Sequence, residues 1–290
     1  MIHHRKDATG SRLQRLFLWL RRTPRIGLYG SLCLATAYQP VWADTACSSR
    51  QYDETTSIKY IHDGDTLHLK DGRKVRLIGI NTPEIAHGEK TAEPFSYQAK
   101  DALGVLFSND KTISLIYGND KYDRYKRLLA HAFTGDGENV QATLLTLGLA
   151  RSVTFPPNTQ FSACYKQQER KARCARTGLW EKTPLLSAEN IRDKDIGFQL
   201  IRGKLNKISI NKKGIWLKLD NTLTIGIRPD DKQLFDIDAI QALLAKDIVV
   251  RGWLNKSKYK TPYYMRIRHP SSIQSAEIFA CGQHTDNLNP

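Results

Sequence analysis

The chain has 290 residues and a net charge of +15, from 44 Lys and Arg against 29 Asp and Glu. Hydrophobic residues make up 40% of it, which is enough for folded cores and excludes a disordered chain. The length leaves room for two modest domains. The positive excess favours a polyanionic partner or an anionic membrane surface, although a solvated basic surface would give the same charge.

The first 43 residues are typical of an export signal. They contain seven basic residues and one acidic residue, then a short, mostly apolar stretch at 26–37 and small residues before Asp44. We expect a signal peptide at 1–43, cleavage after Ala43, and a periplasmic or secreted protein. The apolar stretch is too short and too interrupted for a membrane span. An uncleaved N-terminal membrane anchor is the alternative.

Four cysteines follow this leader: Cys47, Cys164, Cys174 and Cys281. An even number in an exported chain predicts two disulfides. Cys164 and Cys174 lie on one expected helix, where their spacing corresponds to about 15 Å. That distance is too long for a disulfide between them. Each should therefore pair with Cys47 or Cys281.

The first part of the mature chain is predicted to be a small antiparallel barrel with helices packed on it. Apolar alternation, or a continuous apolar run, predicts strands at 57–61, 66–69, 75–80, 111–117 and 128–133. Helical spacing predicts helices at 94–107, 140–148 and 161–177. The fold class is therefore β-rich α+β.

A second, smaller barrel is predicted after a linker at 183–196. Strands are expected at 200–210, 215–219, 223–227, 248–254 and 263–267, with a short helix at 237–244. Three strands, a helix and two strands is the order of an oligonucleotide-binding barrel. The predicted boundaries are 50–182 for the first domain, 197–272 for the second and 273–290 for a tail.

Oxygen ligands and arginines are expected to gather at one end of the first barrel. An aspartate–glycine turn makes a hairpin whose open ends would bring Asp65, Asn81 and Glu84 close to Arg76. Arg127, at the start of a later strand, adds a second guanidinium. Oxygen ligands suit a hard cation and guanidinium groups suit a phosphate. The combination points to phosphodiester hydrolysis.

These segments resemble the staphylococcal-nuclease-like (thermonuclease) family. The resemblance covers about 57–180 and rests on ordered motifs: Asp63–Thr66, Arg76–Glu84, Asp123–Arg127, Leu147–Ala150 and Gly178–Trp180. It implies that the first barrel is the five-stranded oligonucleotide-binding barrel of this family, with three helices. The second barrel has no motif of its own and rests on its strand order.

The resemblance also implies roles for individual residues. Three would hold a calcium ion, two by side chains and one by its carbonyl: Asp65, Asn81 and Thr82. Three would carry the chemistry, one as general base and two as phosphate clamps: Glu84, Arg76 and Arg127. Three in one motif would contact the substrate: Arg124, Tyr125 and Lys126.

The chain departs from the family pattern at three places. Position 81 is Asn where Asp is usual, which removes a negative charge and leaves another divalent ion possible in place of calcium. Lys126 replaces the usual Gly and adds a cation beside Arg127. The base-stacking tyrosines after Leu147–Ala150 are not matched, and Phe155 is the nearby aromatic residue.

We therefore predict an exported, monomeric, calcium-dependent nuclease that acts on DNA, with RNA as a further candidate substrate. A catalytically weak nucleic-acid-binding protein on the same barrel is the alternative, because Asn81 weakens the metal site. A disulfide-stapled envelope protein that only binds an anionic polymer would not need Glu84 beside Arg76. In the second barrel, four aromatic residues could stack bases or form core: Trp216, Trp253, Tyr263 and Tyr264.

Overall fold

The computed structural model describes residues 47–182, 185–258 and 260–281, so the predicted signal peptide lies outside the described residues. The first barrel and its helices comprise, in chain order, β1 (Glu54–Ile61), β2 (Thr66–Leu69), β3 (Lys74–Leu77), β4 (Ile80–Asn81), α1 (Ser96–Leu106), β5 (Thr112–Tyr122), β6 (Leu128–Thr134), α2 (Val140–Thr146), β7 (Arg151–Ser152) and α3 (Ser162–Cys174). Five strands close the barrel in the order β1-β2-β3-β6-β5.

Strand alternation places the core of this barrel on one face of each strand. Leu67 and Leu69 of β2 and Val75 and Leu77 of β3 are fully buried, whereas Arg76 between them is only partly buried. Successive side chains point to opposite faces of a strand, so Arg76 lies on the outer face. The ring pairs antiparallel except between β3 and β6, which are parallel. Their connection carries α1 and β5.

The predicted strand at 75–80 is divided in two by Gly79. This glycine has φ of +85°, and a Cβ at this position would lie 2.5 Å from the Tyr165 ring. Only glycine meets both conditions without strain. The chain therefore leaves the barrel after β3, and β4 pairs with β7 through Ile80–Ser152 and Asn81–Arg151. This turn delivers Asn81 and the residues after it to the barrel edge.

The second barrel comprises β8 (Leu186–Ser187), β9 (Gly197–Asn211), β10 (Gly214–Leu219), β11 (Leu223–Ile227), α4 (Pro229–Lys232), α5 (Ile237–Gln241), β12 (Asp247–Lys256), β13 (Tyr263–Arg266), β14 (Ile273–Ser275) and α6 (Ala276–Phe279). Strands β9, β10, β11, β13 and β12 form a ring that is closed by pairing between β12 and β9. The predicted architecture of two five-stranded barrels is confirmed.

Segments outside the five strands also join the second barrel. In the predicted linker, β8 pairs with β9, and Ala188 and Ile191 are buried in the barrel core. At the start of the predicted tail, β14 pairs with β12. The sheet therefore extends on both sides of the ring. No helix within the described residues is long and apolar enough to cross a membrane.

Helix α3 holds the two barrels together. It carries one cysteine of each disulfide that the described residues contain, Cys47–Cys164 and Cys174–Cys281. Its Ala172 lies in an apolar cluster with residues of both barrels: Trp180, Leu200, Val249 and Phe279. All described residues belong to one compact unit of the chain.

Candidate active site

The Asp65 carboxylate joins the hairpin to the segment that follows β4. Its Oδ2 accepts hydrogen bonds from the Thr82 backbone N–H at 3.1 Å and from the Thr82 hydroxyl at 3.0 Å, and it lies 3.0 Å from Arg76 Nη2. Its Oδ1 accepts from the Thr66 hydroxyl at 3.2 Å. Burial raises the pKa of Asp65, and the positive charge of Arg76 opposes this shift. The carboxylate is therefore buried and multiply bonded.

Asp63 and Glu84 extend the carboxylate cluster. Asp63 Oδ1 accepts from the Asp65 backbone N–H at 2.9 Å, which fixes the loop before β2. Glu84 reaches solvent, but protein atoms around its carboxyl limit its hydration and raise its pKa. The negative charges of Asp65, Asp63 and Glu93 act in the same direction, against the opposing charge of Arg76.

The two predicted phosphate clamps are held by different partners. Arg76 donates from Nη1 to the Leu77 carbonyl at 2.6 Å and from Nη2 to the Ile80 carbonyl at 3.2 Å. Arg127 donates from its backbone N–H and its Nε to Asp123, at 2.9 and 2.8 Å. Both arginines line one cavity of about 710 Å³. The structure therefore places both arginines at the edge of one cavity.

A second cavity, of about 670 Å³, contains the other side of the predicted site. Asp63, Asn81 and Glu84 line it, together with Arg127. Arg127 thus borders both cavities, with Arg76 on one side and the oxygen-rich group on the other. We call the two cavities together the cleft.

The three predicted substrate contacts lie on the turn before β6. Arg124 and Tyr125 line the same cavity as Arg76, and Arg124 Nη2 donates to the Tyr125 hydroxyl at 2.7 Å. Lys126 is exposed and has φ of +60°, a conformation that costs a residue with a side chain more than it costs glycine. The glycine usual in the family would satisfy this geometry without strain.

The expected metal ligands form an oxygen-only set of one carboxylate, one amide and one backbone carbonyl. Asn81 lines the cleft, whereas Asp65 and Thr82 are buried beside it. Within the described chain, no group of three or more His, Cys, Asp or Glu side chains is arranged to hold a metal ion. A calcium site at these residues stays a prediction.

The sequence did not single out Glu93 or Arg268, which line the cleft. Glu93 lies in a loop, where its Oε2 accepts from the Glu84 backbone N–H at 3.3 Å. Arg268, from the second barrel, lines the cavity of Arg76 and Arg127. Neither residue has a sequence signal, since one lies in an irregular loop and the other reaches the cleft only through the docking of the barrels.

An oligonucleotide-binding-type barrel with two arginines and a carboxylate cluster at one cleft is the arrangement expected of a nuclease. Comparison with known proteins agrees with this class. The family model for staphylococcal nuclease homologues matches residues 74–182. The thermonuclease of Staphylococcus intermedius is 32% identical over 132 residues, which cover 44% of this chain and 77% of that protein. The chain belongs to the staphylococcal nuclease family.

Other relatives agree with this assignment. The thermonuclease of Staphylococcus hyicus is 30% identical over 135 residues, covering 46% of this chain and 79% of that protein. Endonuclease YncB of Bacillus subtilis is 32% identical over 125 residues, covering 42% of this chain and 59% of that protein. The family match ends at residue 182, before the second barrel.

Proposed function

We propose that this nuclease is exported and hydrolyses phosphodiester bonds of DNA, and of RNA as a second substrate, in the cleft beside Arg76 and Arg127. The observation that carries the proposal is that both arginines line one cavity, and that Arg127 also borders the carboxylate cluster. Binding alone would not need a carboxylate beside the phosphate contacts. Exported proteins commonly contain disulfides, so the two bonds on α3 support export.

The arginines would bind the scissile phosphate and stabilise the charge that develops on it. A guanidinium can donate two parallel hydrogen bonds to phosphate oxygens, which fixes orientation as well as charge. The Arg127 guanidinium is held by a hydrogen bond from its Nε to Asp123, and that of Arg76 by the Leu77 and Ile80 carbonyl groups and Asp65. These contacts keep the guanidinium groups in place, so little reorganisation accompanies the reaction.

Glu84 would act as the general base. Its carboxylate accepts a proton from a water molecule whose oxygen forms the new bond to phosphorus, while the bond from phosphorus to the leaving sugar oxygen breaks. The leaving oxygen takes a proton from solvent. Glu84 is suited to this role because it lines the cleft and reaches solvent. The negative charges of Asp63 and Glu93 contribute to its raised pKa.

The residues around Glu84 fit a hard divalent cation such as calcium. The carboxylates of Asp65, Asp63 and Glu93 raise the pKa of Glu84 against the opposing charge of Arg76, so negatively charged oxygen groups lie close to it. We propose Asp65, Asn81 and Thr82 as the residues that would hold the ion. When bound, it would polarise a phosphoryl oxygen and favour attack by water. Asn81 supplies an oxygen without charge, so binding should be weak.

A nucleic-acid-binding protein with little catalysis remains the second candidate. One observation favours it: Asp65 Oδ2 already accepts two hydrogen bonds from Thr82 and pairs with Arg76. A metal ion at this carboxylate would have to compete with those donors. The two candidates differ in whether turnover occurs when the ion is supplied.

Digestion assays test the proposal. Single- and double-stranded DNA and RNA are incubated with the full mature protein in calcium, in other divalent ions, and in excess chelator. We expect cleavage with calcium and none with chelator. Glu84→Gln should bind substrate but cleave it poorly. Cleavage that is undiminished in chelator would exclude the metal-dependent mechanism, and binding without cleavage in every ion would favour the second candidate.

A further inference from the structure

The outer face of β12 determines what the second barrel contributes to the cleft. Val250 and Leu254 point into the core of that barrel, so alternation sends Val249, Arg251 and Trp253 to its outer face. Val249 lies with Ala172 of α3 in the shared apolar cluster, and Arg251 contacts Glu169 of the same helix. Two of the three outward residues are thus used in docking to the first barrel.

Trp253, the third outward residue, lies beyond the docking contact and lines the cleft. It lines both cavities of the cleft, including the one that contains Arg76 and Arg127. Its side chain keeps 39% of its surface exposed, although its strand neighbours Gly252 and Leu254 are buried. An exposed tryptophan in a concave site is a common feature of ligand recognition.

Two phenylalanines complete an aromatic wall around this tryptophan. The Phe155 ring, from the first barrel, lies 5.5 Å from the Trp253 ring with an interplanar angle of 35°. The Phe198 ring lies 4.8 Å away at 69°. Phe155 is 41% exposed and lines the cavity of the two arginines. We call Trp253, Phe155 and Phe198 the aromatic wall.

A cation lies beside the aromatic wall. Arg268, from the second barrel, lines the same cavity, and its guanidinium carbon lies 5.9 Å from the Phe155 ring centre. It is held by Asp231, which accepts from Arg268 Nε at 3.4 Å. Aromatic rings alternating with cations are the pattern by which proteins bind single-stranded nucleic acid, since bases stack on the rings and phosphates pair with the cations.

We propose that the aromatic wall is a subsite for an unpaired nucleobase, which stacks on Trp253 and Phe155 while its strand passes Arg76 and Arg127. The proposal rests on the proposed function, because it concerns the same substrate strand. A base inside a duplex is covered by its neighbours on both faces, so it is not free to stack on a side chain. The subsite therefore gives the nuclease a preference for single strands, without base specificity.

Binding measurements test this subsite apart from catalysis. A fluorescent single-stranded DNA 12-mer, a blunt duplex of the same length and a strand of abasic sugars with equal phosphate number are titrated in excess chelator, with full-length mature protein. Trp253→Ala should weaken binding of the 12-mer roughly 5- to 150-fold. It should change the affinity for the abasic strand by less than about twofold. Trp253→Phe should restore most of the affinity, because it keeps a stacking ring.

Two controls separate stacking from charge and from unfolding. Trp216→Ala makes the same change in the same barrel, next to Tyr264 and outside the residues that line the cleft, and should leave the 12-mer affinity unchanged. The salt dependence of binding should keep its slope in Trp253→Ala, since no phosphate contact is lost. Each variant is compared with the parent by thermal unfolding.

Unchanged affinity of folded Trp253→Ala for the 12-mer would overturn the subsite and leave Trp253 as a contact between barrels. An equal loss for the 12-mer and the abasic strand would also overturn it. Failure of the proposed function has a different signature, since the parent would then cleave no nucleic acid in any ion. If the parent binds the 12-mer through Trp253 but cleaves nothing, the subsite stands and the catalytic proposal falls.

Discussion

Arg251 Nη1 of the second barrel lies 2.6 Å from Glu169 Oε2 of helix α3, and both side chains are buried. The same Nη1 also donates to the Ser152 carbonyl at 3.0 Å and to its hydroxyl at 2.8 Å. Ser152 in turn pairs with Ile80 on β4. The second barrel therefore supports the short sheet that presents Asn81 to the cleft.

Replacing only one partner of this ion pair should lower the free energy of unfolding. Arg251→Met leaves the Glu169 carboxylate buried without its guanidinium partner, so we expect a loss of about 3–5 kcal/mol in the free energy of unfolding. Arg251→Met with Glu169→Met removes both charges and should cost clearly less than the single variant. Urea unfolding of the parent, both single variants and the double variant measures this. A single-variant loss below about 1 kcal/mol would contradict a structural role for the pair.

Metal affinity should respond to the charge at position 81. Asn81→Asp restores a carboxylate to the proposed ligand set, and we expect calcium to bind more tightly because oxygen sites gain affinity with ligand charge. The parent should need divalent ion in the range of about 0.1–1 mM, as weak extracellular sites do. Calorimetric titration with calcium checks both values. Asn221→Asp, in the exposed turn between β10 and β11, is the matched control. Equal affinity in Asn81→Asp and the parent would remove Asn81 from the ligand set.

Replacing either phosphate clamp by lysine should lower kcat. Arg76→Lys and Arg127→Lys keep the charge but lose the two-point contact, so we expect kcat to fall about 100-fold or more in each. Arg73→Lys is the matched control, since Arg73 lies at the opposite end of the same hairpin and pairs with Glu54 and Asp71. Steady-state kinetics on a single-stranded substrate provides the measurement. A near-parental kcat in either clamp variant would show that this arginine does not act on the phosphate.

Stability should fall in acid through His131. Burial lowers the pKa of this histidine to about 3, below its ordinary value of 6.5, and its Nδ1 lies 2.9 Å from the Tyr165 hydroxyl. Between these two pH values the unfolded chain binds more protons than the folded chain. The free energy of unfolding should therefore decrease as pH falls below about 6.5, by up to about 1.4 kcal/mol per pH unit from this group.

His131→Gln tests this dependence, since glutamine does not titrate and can still hydrogen-bond to Tyr165. Its unfolding free energy, measured by urea at several pH values from 4 to 7, should have a slope shallower than that of the parent by about one proton. Identical slopes in the two proteins would show that another group causes the acid sensitivity. The comparison uses slopes, so a constant loss from repacking around the new side chain does not affect it.

Local pattern was sufficient to predict both barrels, because the strands have one buried face. Leu67, Leu69, Val75 and Leu77 repeat with a period of two, and all four are fully buried. The division of the strand at Gly79 could not be read from the same run, since Ile78 and Ile80 continue its apolar character. The reason for the division is the tertiary contact with Tyr165, which the local pattern does not contain.

Only some of the residues that line the cleft could be predicted from the sequence. Arg76, Asn81, Glu84 and Arg127 come from motifs within one barrel, and the fold brings them to the cleft. Trp253 has the same alternation signal as any outward strand residue, and nothing in the sequence shows that the first barrel faces it. Residues that meet only through the docking of two barrels require the structure.

The disulfides determine what a single backbone cut can do to this protein. A cut between 48 and 163 lies inside the loop closed by Cys47–Cys164, and one between 175 and 280 lies inside the loop closed by Cys174–Cys281. In both cases the fragments stay joined by a covalent bond until a reductant is added. Between Cys47 and Cys281, only a cut within α3, between Cys164 and Cys174, would divide the molecule in two. Proteases prefer exposed loops to helices, so the one unprotected stretch is also a poor target. A nicked molecule in an oxidising compartment would therefore keep both walls of its cleft.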